Sequence, residues 1–199
     1  MTSGRRLTRA FYARPSTEAA PDLLGRLLVR LEPDGTRLVV RIVEAEAYEE
    51  GDPASHSFRG RTPRNEVMFG RPGHLYVYFT YGMHFCMNVV TRAPGWGSAV
   101  LLRAAEPIEG LDVMARRRRT REPRRLCSGP ARLCEALGVG RSENGADLVR
   151  GSDLWLLEGD PPPPRSIART TRVGIRVGTE HRWRFLIRDD PFVSRPVDR

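Results

Sequence analysis

Along most of this chain the apolar residues come in short runs, and the longest of them approach the two-residue alternation of a strand. RLVVRIVEAEAY at 37–48 predicts one long strand, rich in Val. Residues 75–81 and 85–91 predict two more, joined at Gly82, and 98–104 predicts another. Shorter strands are expected at 154–157, 171–175 and 183–188. Helical patterns are fewer. Pro21-Asp22 followed by LLGRLLVRL suggests a short helix running into a strand, and 107–117 predicts a second helix. Ser128 stands where it could cap a third, PARLCEALGV, ending at Gly140. Most successive strands are joined by connections too short for parallel crossovers. The pattern therefore predicts an α+β fold with a largely antiparallel sheet.

Residues 49–73 break this rhythm with seven Gly or Pro residues, a stretch too long to be idle filler in a compact domain. No repeat or linker divides the 199 residues, so one domain is expected, with 1–10 as a flexible leader. Hydrophobic content of 40% and charged content of 29% are ordinary, but a net charge of +9 is not. It favours an anionic partner, nucleic acid before membrane. No apolar run approaches a bilayer span and no signal-type stretch opens the chain, so an intracellular protein is expected. That means cytoplasm or nucleoid, or the nucleus in a eukaryote. All 33 basic residues are arginine, so no side chain carries a primary amine. Three cysteines without CxxC spacing and four scattered histidines ask for no disulfide framework, metal or cofactor.

Candidate chemistry starts with Glu44 and Glu46, two apart on the long strand and so on one face. Spacing alone fits a solvated strand face. The apolar surroundings favour a carboxylate whose pKa is raised and which acts as a general base. Tyr76 and Tyr78 share a strand face, while Tyr81 lies at the expected turn beside Gly82. Such a tyrosine could enter a base stack as minor-groove wedges do. The run from Arg116 to Arg125 reads as a solvated basic segment able to track phosphates. Two other readings compete. A non-enzymatic nucleic-acid binder would need only the arginines and tyrosines. A glycoside hydrolase could pair Glu44 with Glu46, roughly 6–7 Å apart by strand rise, although neutral sugars gain nothing from the charge.

IVEAEAY at 42–48, ASHS at 54–57, TPRNEVMF at 62–69, GHLYVYFTYGMHFCMN at 73–88, VLLRAAEP at 100–107, LCSGPARLCEALG at 126–138 and RVG at 172–174 occur in this order. Together they resemble the alkyladenine (3-methyladenine) DNA glycosylase family, from about Phe11 to the end of the chain. The resemblance implies a monofunctional enzyme, monomeric and without a cofactor, acting on double-stranded DNA that contains a damaged purine. It also implies a curved sheet with a DNA-inserting β-hairpin. Glu46, rather than Glu44, would activate water, held also by Arg103 and the backbone carbonyl of Val173. Tyr48 and His56 would stack on one face of a flipped base and Tyr78 on the other. The backbone amide of His56 would read the purine edge, Asn88 would exclude a 2-amino group, and Tyr81 would fill the gap in the duplex.

Overall fold

The computed structural model describes residues 4–197. Its centre is β2 (Arg37–Tyr48), which pairs along one edge with β5 (Ala99–Glu109). Two strands share the other edge. β1 (Leu27–Leu31) pairs with 37–41 and β8 (Arg184–Ile187) with 44–46. The sheet continues from β5 to β4 (His84–Val90) and β3 (Leu75–Thr80), and from β1 to β6 (Leu154–Leu157). β7 (Ile167–Thr170) pairs with β8, and every pairing among these strands is antiparallel. The α+β expectation holds, in a compact single domain.

Strand alternation sorts the side chains between two environments. Leu75, Val77, Met87, Val89, Val100 and Leu102 join the main core. That core is closed by α2 (Ser16–Leu23), by Met114 of α3 (Leu111–Arg118) and by α5 (Pro130–Leu137). α5 has the sequence marks of a helix with one apolar face. Pro130 opens it, Gly138 closes it at φ 62°, and Leu133, Cys134, Ala136 and Leu137 are buried. Each fully buried Leu or Val of this core stabilises the fold by about 1.5–3 kcal/mol. Residues of the other parity, including Glu46, Tyr76, Tyr78, Asn88 and Arg103, are left for the opposite face. There the 49–73 segment covers them, with Met68 and Phe69 packed on Tyr76.

Several elements differ from the sequence reading. The strand expected at 98–104 runs on to Glu109, where a helix from 107 was expected. Beyond Leu101 β5 has no β4 partner, so Pro107 sits on an edge that needs no N–H from it. The helix starts only at Leu111, after Gly110 at φ 78°. The first helix of any length is Ser16–Leu23, with Pro21 in its last turn rather than at its start. α5 is capped by Gly129, not Ser128, and ends at Leu137. Residues 171–175 form no strand; they belong to the loop between β7 and β8. Residues 1–3 of the expected leader lie outside the described residues, but 4–10 are not free chain. Leu7 is buried with its N–H donating to Leu156 O at 3.0 Å, and α1 (Arg9–Tyr12) begins there. No helix among the described residues is long and apolar enough to cross a membrane.

Candidate active site

Between the sheet and the 49–73 segment lies a pocket of about 340 Å³. Tyr48 of β2, Tyr76 and Tyr78 of β3, Asn88 of β4 and Arg103 of β5 line it. His56 comes from the covering segment and Val173 from the β7–β8 loop. All seven were expected from the sequence to be site residues, and the fold brings them together.

Glu46 stands directly behind this lining with no solvent exposure. Val173 N–H donates to its Oε1 at 2.8 Å and Tyr48 O–H to its Oε2 at 2.9 Å. Arg103 Nε is 3.5 Å from Oε1. Burial pushes the Glu46 pKa above the usual carboxylate range, against the opposing pull of Arg103, the Val173 amide and the Tyr48 hydroxyl. Burial and the adjacent Glu46 charge together raise the Tyr48 pKa, which keeps its hydroxyl protonated and donating. A carboxylate offers about four acceptor positions, so room remains on Glu46 for a water.

Glu44 is equally buried but fully engaged on its own side. Arg184 Nε donates to Oε1 at 2.6 Å, and Ser194 donates from its N–H at 2.6 Å and its hydroxyl at 2.9 Å. Arg103 lies 3.2 Å away. These partners occupy most of the acceptor positions of the Glu44 carboxylate. The arrangement weighs against a Glu44–Glu46 acid/base pair of glycosidase type.

The aromatic walls are packed against one another. Tyr76 and Tyr78 stack with centroids 5.6 Å apart, and His56 meets Tyr78 edge-on at 4.5 Å. The His56 ring nitrogen Nδ1 is 3.0 Å from Tyr76 Oη. A planar base between two rings needs about 7 Å, two van der Waals contacts. The His56–Tyr78 separation is thus too small to admit a planar base between the two rings. Shielding by the pocket wall, with the charge of Arg64, lowers the His56 pKa and favours the neutral imidazole. Among the described residues the His56 backbone N–H donates to no acceptor. Asn88 Nδ2 donates to Tyr76 O at 3.1 Å, which fixes its side chain as a rigid part of the wall.

Tyr81 tops the β3–β4 hairpin, whose last pair is Thr80 with His84. It adopts φ 50°, uncommon outside glycine, and is 84% exposed, with Met83 beside it at 70%. Gly82 follows at φ 67°.

Sequence reasoning assigned nothing to Arg172 or Asp52. Arg172 is buried, donates to both Asp52 carboxylate oxygens and to Ala47 O at 3.0 Å, and lies 4.6 Å over the Tyr48 ring. It ties the loop carrying Val173 to the strand carrying Glu46. Nothing in the local pattern marks it, because its partner is 120 residues away. Cys86 also lines the pocket beside Tyr78 without having been singled out.

The model of the methylpurine-DNA glycosylase family matches residues 10–191. A protein of Streptomyces avermitilis is 52% identical over 94% of this chain and 90% of its own length. One of Carboxydothermus hydrogenoformans is 49% identical over 95% and 98%, and one of Burkholderia lata 48% over 98% and 94%. Each of the three is named "Putative 3-methyladenine DNA glycosylase". With these matches spanning nearly the whole chain, it belongs to the methylpurine-DNA glycosylase family.

Proposed function

We propose that this chain is a monofunctional glycosylase that removes alkylated or deaminated purines, of the 3-methyladenine, hypoxanthine and ethenoadenine type, from double-stranded DNA. The observation that carries the reading is a buried carboxylate, Glu46, held by Val173 N–H, Tyr48 O–H and Arg103 at the back of an aromatic pocket.

The damaged nucleotide leaves the stack and its base enters the pocket. Tyr81 takes the vacated space in the duplex. Tyr48 and His56, swung from Tyr78, stack on one face of the base, Tyr78 on the other, and the His56 amide reads its edge. Asn88 excludes a 2-amino group, which keeps undamaged guanine out. Glu46 then takes a proton from a water that Arg103 and the Val173 carbonyl help to hold. The water oxygen bonds to the sugar C1′, and the glycosidic bond breaks with its electron pair leaving on the base. The Glu46 charge favours the oxocarbenium-like sugar of the transition state. A base alkylated at N3 or N7 already leaves as a neutral molecule. Neutral bases need a proton as they depart.

Single-turnover excision of hypoxanthine from a duplex tests the assignment. Glu46→Gln is expected to lose several orders of magnitude in rate while still binding the lesion. Glu44→Gln is expected to retain much more. Equal losses, or little loss at Glu46, would overturn the assignment.

A further inference from the structure

The seven arginines between 116 and 125 divide into two groups once their partners are known. Arg117 donates to both carboxylate oxygens of Glu32, and Arg118 pairs with Glu135 and donates to Leu126 O at 3.1 Å. These two supply the positive charge that the carbonyl end of α3 favours. Arg125 lies 3.9 Å from Glu122 on the open surface. Arg116, Arg119, Arg121 and Arg124 are exposed and have no ion pair among the described residues. Carboxylate partners therefore account for Arg117 and Arg118, while Arg116, in the same last turn, and Arg119, Arg121 and Arg124 have none among the described residues.

Three of the others converge. Arg116, Arg119 and Arg121 line a cleft of about 880 Å³ between α3 and α4 (Pro123–Leu126), with Asp112 as the one acid in its wall. Asp34 is close enough to feel the charge of Arg116, so Arg119 and Arg121 are the freer pair. Arg119 adopts φ 51° and ends the helix there, which sets the turn into Thr120 and Arg121. The cleft also has a definite place relative to the base pocket. Leu126 lines the cleft and Pro130 lines the base pocket. Four residues can span at most about 14 Å. One turn of duplex rises about 34 Å. Lining residues of the two cavities therefore lie closer together than half a duplex turn.

The geometry points to the cleft of Arg119 and Arg121 as a binding site for backbone phosphates of the same duplex, a few nucleotides from the extruded base. This rests on the reading of the chain as a DNA-acting enzyme and adds to it a grip that holds the strand without touching a base. Arginine forks suit phosphate oxygens, and such contacts position a protein without reading sequence.

The test is the salt dependence of binding to an undamaged duplex, which does not depend on any glycosylase activity. Each lost phosphate contact makes the slope of log K against log salt shallower by about 0.9, so Arg119→Gln/Arg121→Gln should change it by about 2. Arg165→Gln/Arg188→Gln, equal in charge and also exposed, serves as the control and should leave it near the wild-type value. Single-turnover excision at saturating protein should match wild type in both doubles, since neither touches the pocket. An unchanged slope in the first double overturns the proposal, as does an equal change in both. Wild-type protein that binds duplex with the expected slope but releases no base would instead refute the glycosylase reading and leave the cleft standing.

Discussion

Glu44 and Glu46 show how two like residues, two positions apart, come to different surroundings. Both are buried, but Glu44 is surrounded by charge and hydrogen bonds while burial leaves Glu46 with a raised pKa. A raised folded-state pKa means that the ionised form costs stability. The favourable contribution exists below the unfolded pKa and is lost as pH rises through the folded one. At pH 7, Glu46→Gln is therefore expected to melt at or above wild type, with the gap closing on acidification. Glu44→Gln leaves Arg184 buried without its carboxylate and should cost about 3 kcal/mol or more. Thermal melts decide it, and a Glu44→Gln protein at least as stable as Glu46→Gln would contradict the division of roles. In kinetics the same shift predicts that the ratio of wild-type to Glu46→Gln excision rates falls as pH drops through a value above the ordinary glutamate value of about 4.3. A ratio that stays level down to that value would contradict it. Asn88 is proposed as a wall rather than a reagent. Asn88→Ser should raise guanine excision relative to hypoxanthine by about tenfold or more. A flat ratio would make it structural only.

At the scale of elements, the β3–β4 hairpin carries an exposed tyrosine held at a positive φ, the proposed wedge. Tyr81→Ser should weaken lesion-specific binding by about 2 kcal/mol, because unstacking is no longer offset by an inserted ring. Non-specific duplex binding should barely change. Base-analogue fluorescence that still reports full extrusion in the variant would count against the wedge. This hairpin was readable in the sequence because alternation brackets Gly82, and so was β2, whose Val-rich run outlasts any helical pattern. The loop after β7 was not. Residues 171–175 look like a strand by composition, yet Arg172 turns inward to Asp52 and Gly174 adopts φ 81°. Likewise Pro107 suggests a helix start, and only the missing neighbour beyond Leu101 makes it acceptable in an edge strand. The candidate site residues followed from motif order. Their grouping depends on long-range pairs such as Val173 with Glu46, which no local pattern encodes.

The whole molecule carries a surplus of arginine, +9 in all, and contains no lysine. On the proposed reading, charge of that sign draws the chain to DNA whatever the lesion, and the pocket then selects. The missing lysine bears on mechanism. Glycosylases that also cut the strand use an amine to form a Schiff base with the sugar, and a guanidinium cannot substitute because it stays protonated. On the proposed reading water is the nucleophile and the strand survives. The most direct measurement is mass spectrometry of a reaction on duplex DNA containing one hypoxanthine, with borohydride present in a parallel sample. The account predicts free hypoxanthine, a full-length strand carrying one abasic site and no protein–DNA adduct. No released base, or a trapped adduct with a nicked strand, would contradict it.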